Sequence, residues 1–147
     1  MKDTIKNILF ITILLCCFSS VGKSQVSFGG GLTYLNEVGI QVRSVIPFDR
    51  FNLIPKVSYY IVDDVTSMSF ELDASYDLLT FGDDNPVYLF SGPALYRNSS
   101  NGNSISDFGI NLGAGLQVSH IYGEIKYTTL FCTDCGGQIG FSLGYMF

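Results

Sequence analysis

The sequence predicts an all-β chain in which eight antiparallel strands follow one another up and down and close into a barrel. From Val26 onward, apolar residues alternate with small or polar ones, which is the spacing of side chains on the two faces of a strand. Short runs of turn-forming residues separate the alternating stretches, as expected for hairpins. No stretch after Val26 has apolar residues at helical spacing, so we predict no helix there.

The predicted strands differ in how regularly they alternate. In chain order they are Val26–Tyr34, Val38–Ile46, Phe51–Ile61, Met68–Leu78, Val87–Arg97, Phe108–Val118, Ile121–Phe131 and Gln138–Phe147. The fourth, sixth and eighth alternate most strictly, with an apolar residue at every second position. Pro55 and Pro93 fall inside two others. Because proline cannot donate a hydrogen bond to a neighbouring strand, each predicts a bulge, a strand end or a shifted boundary.

The connections between these strands consist of turn-forming residues and are rich in Asn, Asp, Gly, Ser and Pro. They are Asn36–Glu37, Pro47–Arg50, Asp63–Asp64, Gly82–Pro86, Asn98–Ser106, Ser119–His120 and Cys132–Gly137. None of them is long enough to require a helix.

The first 24 residues have the organisation of an export signal. Lys2 and Lys6 precede the apolar run Ile8–Phe18, and small residues lead up to a cleavage point after Ser24. The apolar run is shorter than the ~20 residues that a transmembrane helix needs. We therefore predict a signal peptide at 1–24 and one barrel domain at 25–147, with an uncleaved anchor as the alternative.

Charge excludes one large class of function. Residues 25–147 contain five basic and twelve acidic side chains, and no basic run occurs anywhere in the chain. A nucleic-acid-binding protein needs a basic patch, so we predict that no nucleic acid is bound.

The two faces of the strands carry different chemistry. The polar face holds four basic and four acidic residues: Arg43, Lys56, Arg97, Lys126, Glu71, Asp73, Asp77 and Glu124. This balance, in an acidic chain, predicts a narrow lumen plugged by paired charges, because eight strands enclose only enough space for side chains. Glycines on the same face are expected to make room for the long charged side chains.

Aromatic residues on the apolar face gather toward the predicted strand ends, as they do at the two edges of a membrane. They are Phe28, Tyr34, Phe51, Tyr59, Tyr76, Tyr88, Phe90, Tyr96, Phe108, Phe131, Tyr145 and Phe147. Strands of about 9 to 11 residues suffice to cross a bilayer at a tilt. The apolar face is therefore predicted to contact lipid.

Two segments resemble a known family. They are the last strand, with Phe141, Leu143, Tyr145 and terminal Phe147, and the stretch Phe108–Val118 followed by Tyr122–Tyr127. Both are similar to segments of the small eight-stranded outer-membrane barrels of the OmpX and OmpA-barrel type, also described as porin-family proteins. The resemblance covers the whole mature chain. It implies that these four residues act as an assembly signal, and that the barrel-assembly machinery and periplasmic chaperones deliver the chain to outer-membrane lipid.

The resemblance also implies that the amino terminus lies in the periplasm. The connections after the first, third, fifth and seventh strands then face outward, and their rim carries Glu37, Asp63, Asp64, Asp107 and Asp134. We expect a non-enzymatic protein with a structural or surface-recognition role through these short acidic loops. A closed barrel has no free edge, so we expect a monomer.

Two cysteines and the single histidine suggest more specific chemistry, and one alternative concerns the barrel as a whole. Cys132 and Cys135, in a chain bound for an oxidising compartment, predict a disulfide rather than a redox or metal site. The single histidine, His120, leaves a lipid A-modifying enzyme as a remote alternative, although Ser119 is only its sequence neighbour. A soluble secreted or periplasmic barrel that binds an apolar ligand is the other alternative. We expect no cofactor, catalytic residue or metal.

Overall fold

The computed structural model describes residues 26–82, 85–100, 103–132 and 135–147. It contains eight strands: β1 (Ser27–Leu35), β2 (Glu37–Phe48), β3 (Phe51–Val62), β4 (Val65–Phe81), β5 (Asn85–Ser100), β6 (Asn103–Val118), β7 (Ile121–Leu130) and β8 (Gln138–Met146). Each strand pairs antiparallel with the next, and β8 pairs with β1 to close the barrel. Within these ranges no helix is long and apolar enough to cross a membrane. The predicted fold class is confirmed.

The strands from β4 to β6 are longer than predicted, at 17, 16 and 16 residues. The polar segment from Asn98 to Ser106 was expected to be a loop, but β5 continues to Ser100 and β6 begins at Asn103. A hairpin can continue through such polar residues by backbone hydrogen bonds alone. Both of its faces are exposed to water there, so neither face needs apolar side chains.

Several turns are tight, as their residue types predict. Asn36, Asp64 and Ser119 have positive φ angles of 63°, 59° and 55°, a conformation that Asn and Asp tolerate better than most residues. The turns after β1 and β3 lie at one end of the barrel, which we call the far end. The start of β1, the end of β8 and the Ser119–His120 turn lie at the other, the terminal end.

The two prolines produce neither a bulge nor a strand end. Pro55 pairs with Leu72 of β4, but the β2–β3 ladder skips two residue pairs beside it and then resumes in the same register. Pro93 pairs with Ile110 of β6, and the β4–β5 ladder skips two pairs beside it. The missing N–H therefore opens the ladder on one side without shifting the strands. The register shift of the β4–β5 ladder occurs elsewhere, between Asp77 and Leu79.

The register staggers the strands around the barrel. A row of paired residues that starts at Gly29 reaches Leu130 when it is followed from β2 to β7. Followed the other way, Gly29 pairs with Met146 of β8, and the Met146 N–H donates to the carbonyl of His120, ten residues before Leu130. A stagger of this kind accompanies the strand tilt of about 35–45° in closed barrels.

The barrel is apolar outside and polar inside. Among the described residues, fourteen polar or charged residues are buried and only ten apolar ones, the reverse of a soluble core. Leu32, Leu112 and Leu143 point outward and are about 60% exposed (60%, 61% and 61%). The alternative of a soluble barrel with an apolar interior is therefore wrong.

Three aromatic residues were assigned to the wrong face. Tyr88, Phe90 and Tyr96 of β5 point into the lumen and are 4%, 2% and 7% exposed. The outward positions of β5 include Leu89 and Leu95, so both of its faces are apolar and alternation could not distinguish them. The other nine aromatic side chains in the predicted set are exposed on the outward face.

Candidate functional site: a charged plug in the lumen

Six charged side chains meet inside the barrel. They are Arg43 on β2, Lys56 on β3, Glu71 and Asp73 on β4, and Glu124 and Lys126 on β7, and each is at most 6% exposed. All occupy inward positions of their strands. Their formal charges sum to zero, which a buried cluster requires because isolated charges are very costly to desolvate.

Glu124 is the centre of the half of this network nearer the terminal end. Its Oε1 accepts hydrogen bonds from Arg43 Nη1 at 2.6 Å and from the Tyr88 hydroxyl at 2.7 Å. Its Oε2 accepts one from Lys56 Nζ at 2.8 Å. One carboxylate on β7 therefore joins β2, β3 and β5 across the lumen.

Glu71 is the centre of the other half. Lys126 Nζ lies 2.6 Å and 2.7 Å from its two carboxylate oxygens. Asn111 donates to Oε2 at 2.8 Å and Ser69 to Oε1 at 3.0 Å. Thr128 in turn donates to the side-chain oxygen of Asn111 at 2.7 Å, which fixes the orientation of that amide.

Lys56 contacts a second carboxylate besides Glu124. Its Nζ lies 3.0 Å from Asp73 Oδ2 on β4 as well as 2.8 Å from Glu124. The contact with Asp73 is an ion pair without hydrogen-bond geometry, since neither Asp73 oxygen has a hydrogen-bond partner within the described part of the chain. Aromatic rings cover the cations: Lys56 Nζ is 4.1 Å from the Phe90 ring centre and the Arg43 guanidinium is 4.2 Å from that of Tyr122.

Arg97 does not belong to this network. It was predicted to line the lumen, but its side chain is exposed and points outward on β5. The error has the same cause as the aromatic one, because the face of β5 cannot be assigned from a strand that is apolar on both sides. Asp77, the remaining member of the predicted polar face, is exposed at the terminal end.

The inward glycines have a different role from the one expected. A side chain at Gly113 or Gly115 would overlap the rings of Phe90 and Tyr88. These rings lean across β6 from β5, and Tyr88 reaches Glu124 in this way. Of the inward glycines, Gly140 is the one whose space is bordered by a charged side chain, that of Lys126.

Two apolar clusters pack inside the barrel, one toward each end. Toward the far end, Leu35, Tyr60, Ala94 and Tyr96 pack together. Toward the terminal end, Ile54, Tyr88 and Phe90 do the same. Beyond the clusters lie a far-end vestibule of about 310 Å³ and a terminal-end vestibule of about 850 Å³, which share no lining residue. We call the charges and these two clusters together the plug.

Several members of the plug were missed by sequence reasoning. Tyr88, Phe90 and Tyr122 hold the charged groups through a hydrogen bond and two cation–π contacts, while Ser69 and Asn111 bind Glu71. The usable signal was the position of Ser69 and Asn111 on strictly alternating strands, which places them on the same face as Glu71.

The remaining candidate residues lie outside the plug. Cys132 and Cys135 form a disulfide between β7 and β8, with their Cα atoms 5.2 Å apart. Asp134 lies outside the described residues. Phe141, Leu143, Tyr145 and Phe147 are exposed on the outward face, with Phe147 at 81%, and the Phe147 N–H donates to the Phe28 carbonyl at 2.7 Å.

Within the described ranges, the Ser119–His120 turn is the feature that most resembles a catalytic arrangement. Ser119 Oγ lies 2.9 Å from His120 Nδ1, so the two residues are more than sequence neighbours. The imidazole stacks on Tyr145, with ring centres 5.4 Å apart. No carboxylate is hydrogen-bonded to His120 within the described ranges, and those ranges contain no cluster of three or more metal-ligating side chains.

Solved structures with the same architecture are known, although no protein family and no curated protein matches the sequence. The N-terminal β-barrel domain of Pseudomonas aeruginosa OprF aligns with a TM-score of 0.61 at 18% identity, covering 83% of this chain and 96% of that one. Neisserial surface protein A aligns with a TM-score of 0.49 at 13% identity, and Yersinia pestis Ail with 0.44 at 17%. Each of these two alignments covers 83% of this chain and 96% of the other. At such identities the likeness concerns the fold, and this chain has the closed eight-stranded fold of outer-membrane β-barrels.

Proposed function

We propose that this protein is a non-enzymatic β-barrel of the outer membrane, with a plugged lumen and a structural or surface-recognition role carried by its short acidic external loops. The observation that supports this proposal best is the plug itself. Three cations and three anions are buried in the lumen and form two ion-paired groups, and an apolar cluster packs toward each end of the barrel. A diffusing solute would have to break these contacts to pass.

The outward face supports placement in a membrane. Leucine, isoleucine, valine and aromatic side chains on all eight strands are exposed, and water would not stabilise a surface of that kind. In this proposal residues 1–24 direct export, and the barrel-assembly machinery inserts the chain as a monomer. The far end then faces the cell exterior, and Glu37, Asp63, Asp64 and Asp107 give it an acidic rim.

Catalysis has weaker support. The Ser119–His120 pair lacks a bound acid that would orient the imidazole, the third element of the usual triad. In the proposed orientation this pair also lies at the periplasmic end, away from lipid A in the outer leaflet. We therefore expect a His120→Ala variant to leave lipid A unmodified in the same way as the parent, when extracted lipid A is analysed by mass spectrometry.

Conductance tests the proposal directly. The purified full chain, reconstituted in a planar lipid bilayer, is expected to show no stable channel with conductance above the bilayer background. A general porin reconstituted in the same way is the positive control. A steady ohmic conductance from the folded chain would show that the plug does not close the lumen, and would overturn this part of the proposal.

A further inference from the structure

Arg97 is the single charged side chain at an outward position of the strands, among the residues that the structure describes. The eight strands carry ten charged residues in all. Six of them are buried in the plug, and Glu37, Asp77 and Asp107 line the two vestibules at the ends of the lumen. The outward face therefore excludes charge everywhere on the strands except at Arg97.

Arg97 lies where the outward face of the β4–β6 sheet changes from apolar to polar. The row of outward residues on the side toward the barrel middle is apolar, and it consists of Phe70, Leu95 and Phe108. The row on the far-end side carries hydroxyl groups, and it consists of Thr66, Ser99 and Ser104. Outer-membrane barrels have an apolar band with aromatic residues at its edges. The change at Arg97 therefore marks the level at which acyl chains give way to headgroups.

No acidic side chain of the described chain neutralises Arg97. It takes part in none of the salt bridges among these residues. Its ladder partners are Met68 on β4 and Ser106 on β6, which are both uncharged. Asp107 follows Ser106 in the chain, but its side chain lines the far-end vestibule on the other face of the sheet. An arginine kept apart from carboxylates in an acidic chain is available to an anion from outside the chain.

The surroundings of Arg97 suit the phosphate group of a lipid. A guanidinium group presents a planar fork of N–H donors that matches two phosphate oxygens. Ser106 lies directly opposite on β6 and Thr66 diagonally on β4, and such neighbours are within about 5 to 8 Å. Arg97, Ser106 and Thr66 are all exposed, so a headgroup can reach all three. Their hydroxyl groups add donors to those of the guanidinium group.

We propose that Arg97, together with the hydroxyl groups of Ser106 and Thr66, binds the phosphate group of a membrane lipid at the far end of the barrel. The acyl chains of that lipid lie along Met68 and Leu95. A free phosphate ion makes no use of this apolar surface, so the occupant is a lipid headgroup. This inference rests on the proposed function in placing the outward face in a membrane, and it adds a class of lipid to that function.

Native mass spectrometry of the refolded full chain, released from neutral-detergent micelles, counts the lipids that remain bound. The probes are dioctanoyl phosphatidate and dioctanoylglycerol, which differ only in the phosphate group. We expect the folded parent to retain one phosphatidate and no dioctanoylglycerol at the same mole fraction. Equal retention of the two lipids would show that the phosphate has no role and would overturn the proposal. Absence of retained phosphatidate would also overturn it.

Arg97→Gln removes the charge at the centre of the site. It should lower the retained phosphatidate about tenfold, because hydrogen bonds to charged groups are among the stronger ones. Arg50→Gln is the matched control, since Arg50 is an exposed arginine in the turn after β2, at the terminal end. This control should change retention by less than about twofold. Equal losses would show diffuse attraction to basic side chains and would overturn the site. Migration in unboiled gels verifies that both variants are folded.

Two further comparisons separate a lipid site from an ion site. Inorganic phosphate, equimolar with the phosphatidate, should leave most of the lipid bound, because the ion lacks the acyl contacts. Displacement of most of the lipid would overturn the assignment to a lipid. Ser106→Ala should lower retention about threefold, the effect of one hydrogen bond, and unchanged retention would contradict the part of Ser106 in the site.

The level of Arg97 in the bilayer has its own readout. The chain contains no tryptophan, so Leu95→Trp introduces a single fluorophore one outward position from Arg97, toward the barrel middle. In vesicles of brominated phosphatidylcholine, bromine near the headgroup end of the acyl chains should quench it more than bromine near the methyl ends. The reverse order would place Arg97 inside the hydrocarbon and contradict the site. Absence of quenching at both depths would contradict the membrane placement of this face, and with it the proposed function.

Discussion

Glu124 has the most consequential contacts of any single residue in the barrel. It accepts hydrogen bonds from Arg43, Lys56 and Tyr88, which come from three other strands. A buried ion network is weak evidence for net stability, because desolvation opposes the attraction between the charges. Removing one partner is different, since the remaining charges are then buried without compensation.

We therefore expect Glu124→Gln to destabilise the barrel strongly. Glutamine keeps the shape and can still accept from Tyr88, but the cluster acquires a net positive charge next to Arg43 and Lys56. The expected loss is about 3–5 kcal/mol, measured by urea unfolding in lipid vesicles. Asp63→Asn, at the exposed rim, should change the free energy of unfolding by less than about 0.5 kcal/mol. A loss below about 1 kcal/mol for Glu124→Gln would contradict this account of the plug.

Two glycines allow the packing of the lumen to be compared with that of the outer face. A leucine at Gly115 would collide with the Tyr88 ring, whereas at Gly123 a Cβ atom meets only Leu143, at 3.9 Å. Gly115→Leu should destabilise by about 1–3 kcal/mol through overpacking and displace Tyr88 from Glu124. Gly123→Leu, which faces outward, should be close to neutral. Equal stability of the two variants in vesicle unfolding would show that the lumen has spare room.

At the scale of the element, β8 closes the barrel and carries outward residues from Ile139 to Phe147. It pairs with β1 through six residue pairs, and the terminal Phe147 adds a backbone hydrogen bond to Phe28. The strand is strictly alternating, so the face on which each of its side chains lies follows from its sequence. Its role as an assembly signal is a prediction from the resemblance described above.

Phe147→Ser tests that role. If the terminal aromatic residue is recognised during assembly, the variant should accumulate unfolded in the periplasm. Ile139→Ser is the control, because it removes an outward apolar side chain from the other end of the same strand and should still assemble. Fractionation followed by immunoblotting measures both, and normal insertion of the Phe147 variant would contradict an assembly role.

The connection between β7 and β8 holds the disulfide. A loop this short removes little entropy from the unfolded chain, so the bond should contribute about 2 kcal/mol at most. The double variant Cys132→Ser, Cys135→Ser should therefore insert normally and unfold at slightly lower urea concentration. A failure to insert would show that the bond has a larger part in folding than loop closure predicts.

At the scale of the whole molecule, the closed sheet and the charged side chains inside it hold the barrel together. The β1–β8 pairing leaves no strand edge free within the described chain. The charged network ties β2, β3 and β4 to β7 across the lumen. Opening such a barrel requires that both the closing ladder and the buried ion pairs break together.

This cooperativity predicts heat-modifiable migration. In the outer-membrane fraction, the unboiled protein should run as a compact band in dodecyl sulfate gels and shift to its full apparent mass after boiling. Glu124→Gln should shift at a lower temperature than the parent. A soluble band that is indifferent to heating would contradict the membrane assignment.

The strictly alternating strands were predictable because one face of each strand carries apolar residues and the other carries small or polar ones. In β4, β6 and β8 the apolar residues occupy one face. The period of two therefore predicted that each segment is a strand, which face points outward and which residues of these strands line the lumen. The inward positions of Glu71 and Asp73 on β4 could be read in this way. In β5, aromatic and aliphatic residues occupy both faces, and the assignments of Tyr88, Phe90, Tyr96 and Arg97 failed together.

The sequence by itself determined the number of strands, their order, and the separation of an apolar from a charged face, because these depend on local periodicity and turn residues. Only the tertiary structure decided which charges meet. Glu124 and Arg43 are far apart in the chain, and their contact depends on the stagger of a closed barrel, which is a property of all eight registers together. The far-end vestibule has the same origin, since its lining residues include Glu37 of β2 and Asp107 of β6, which share one cavity only because the barrel is closed.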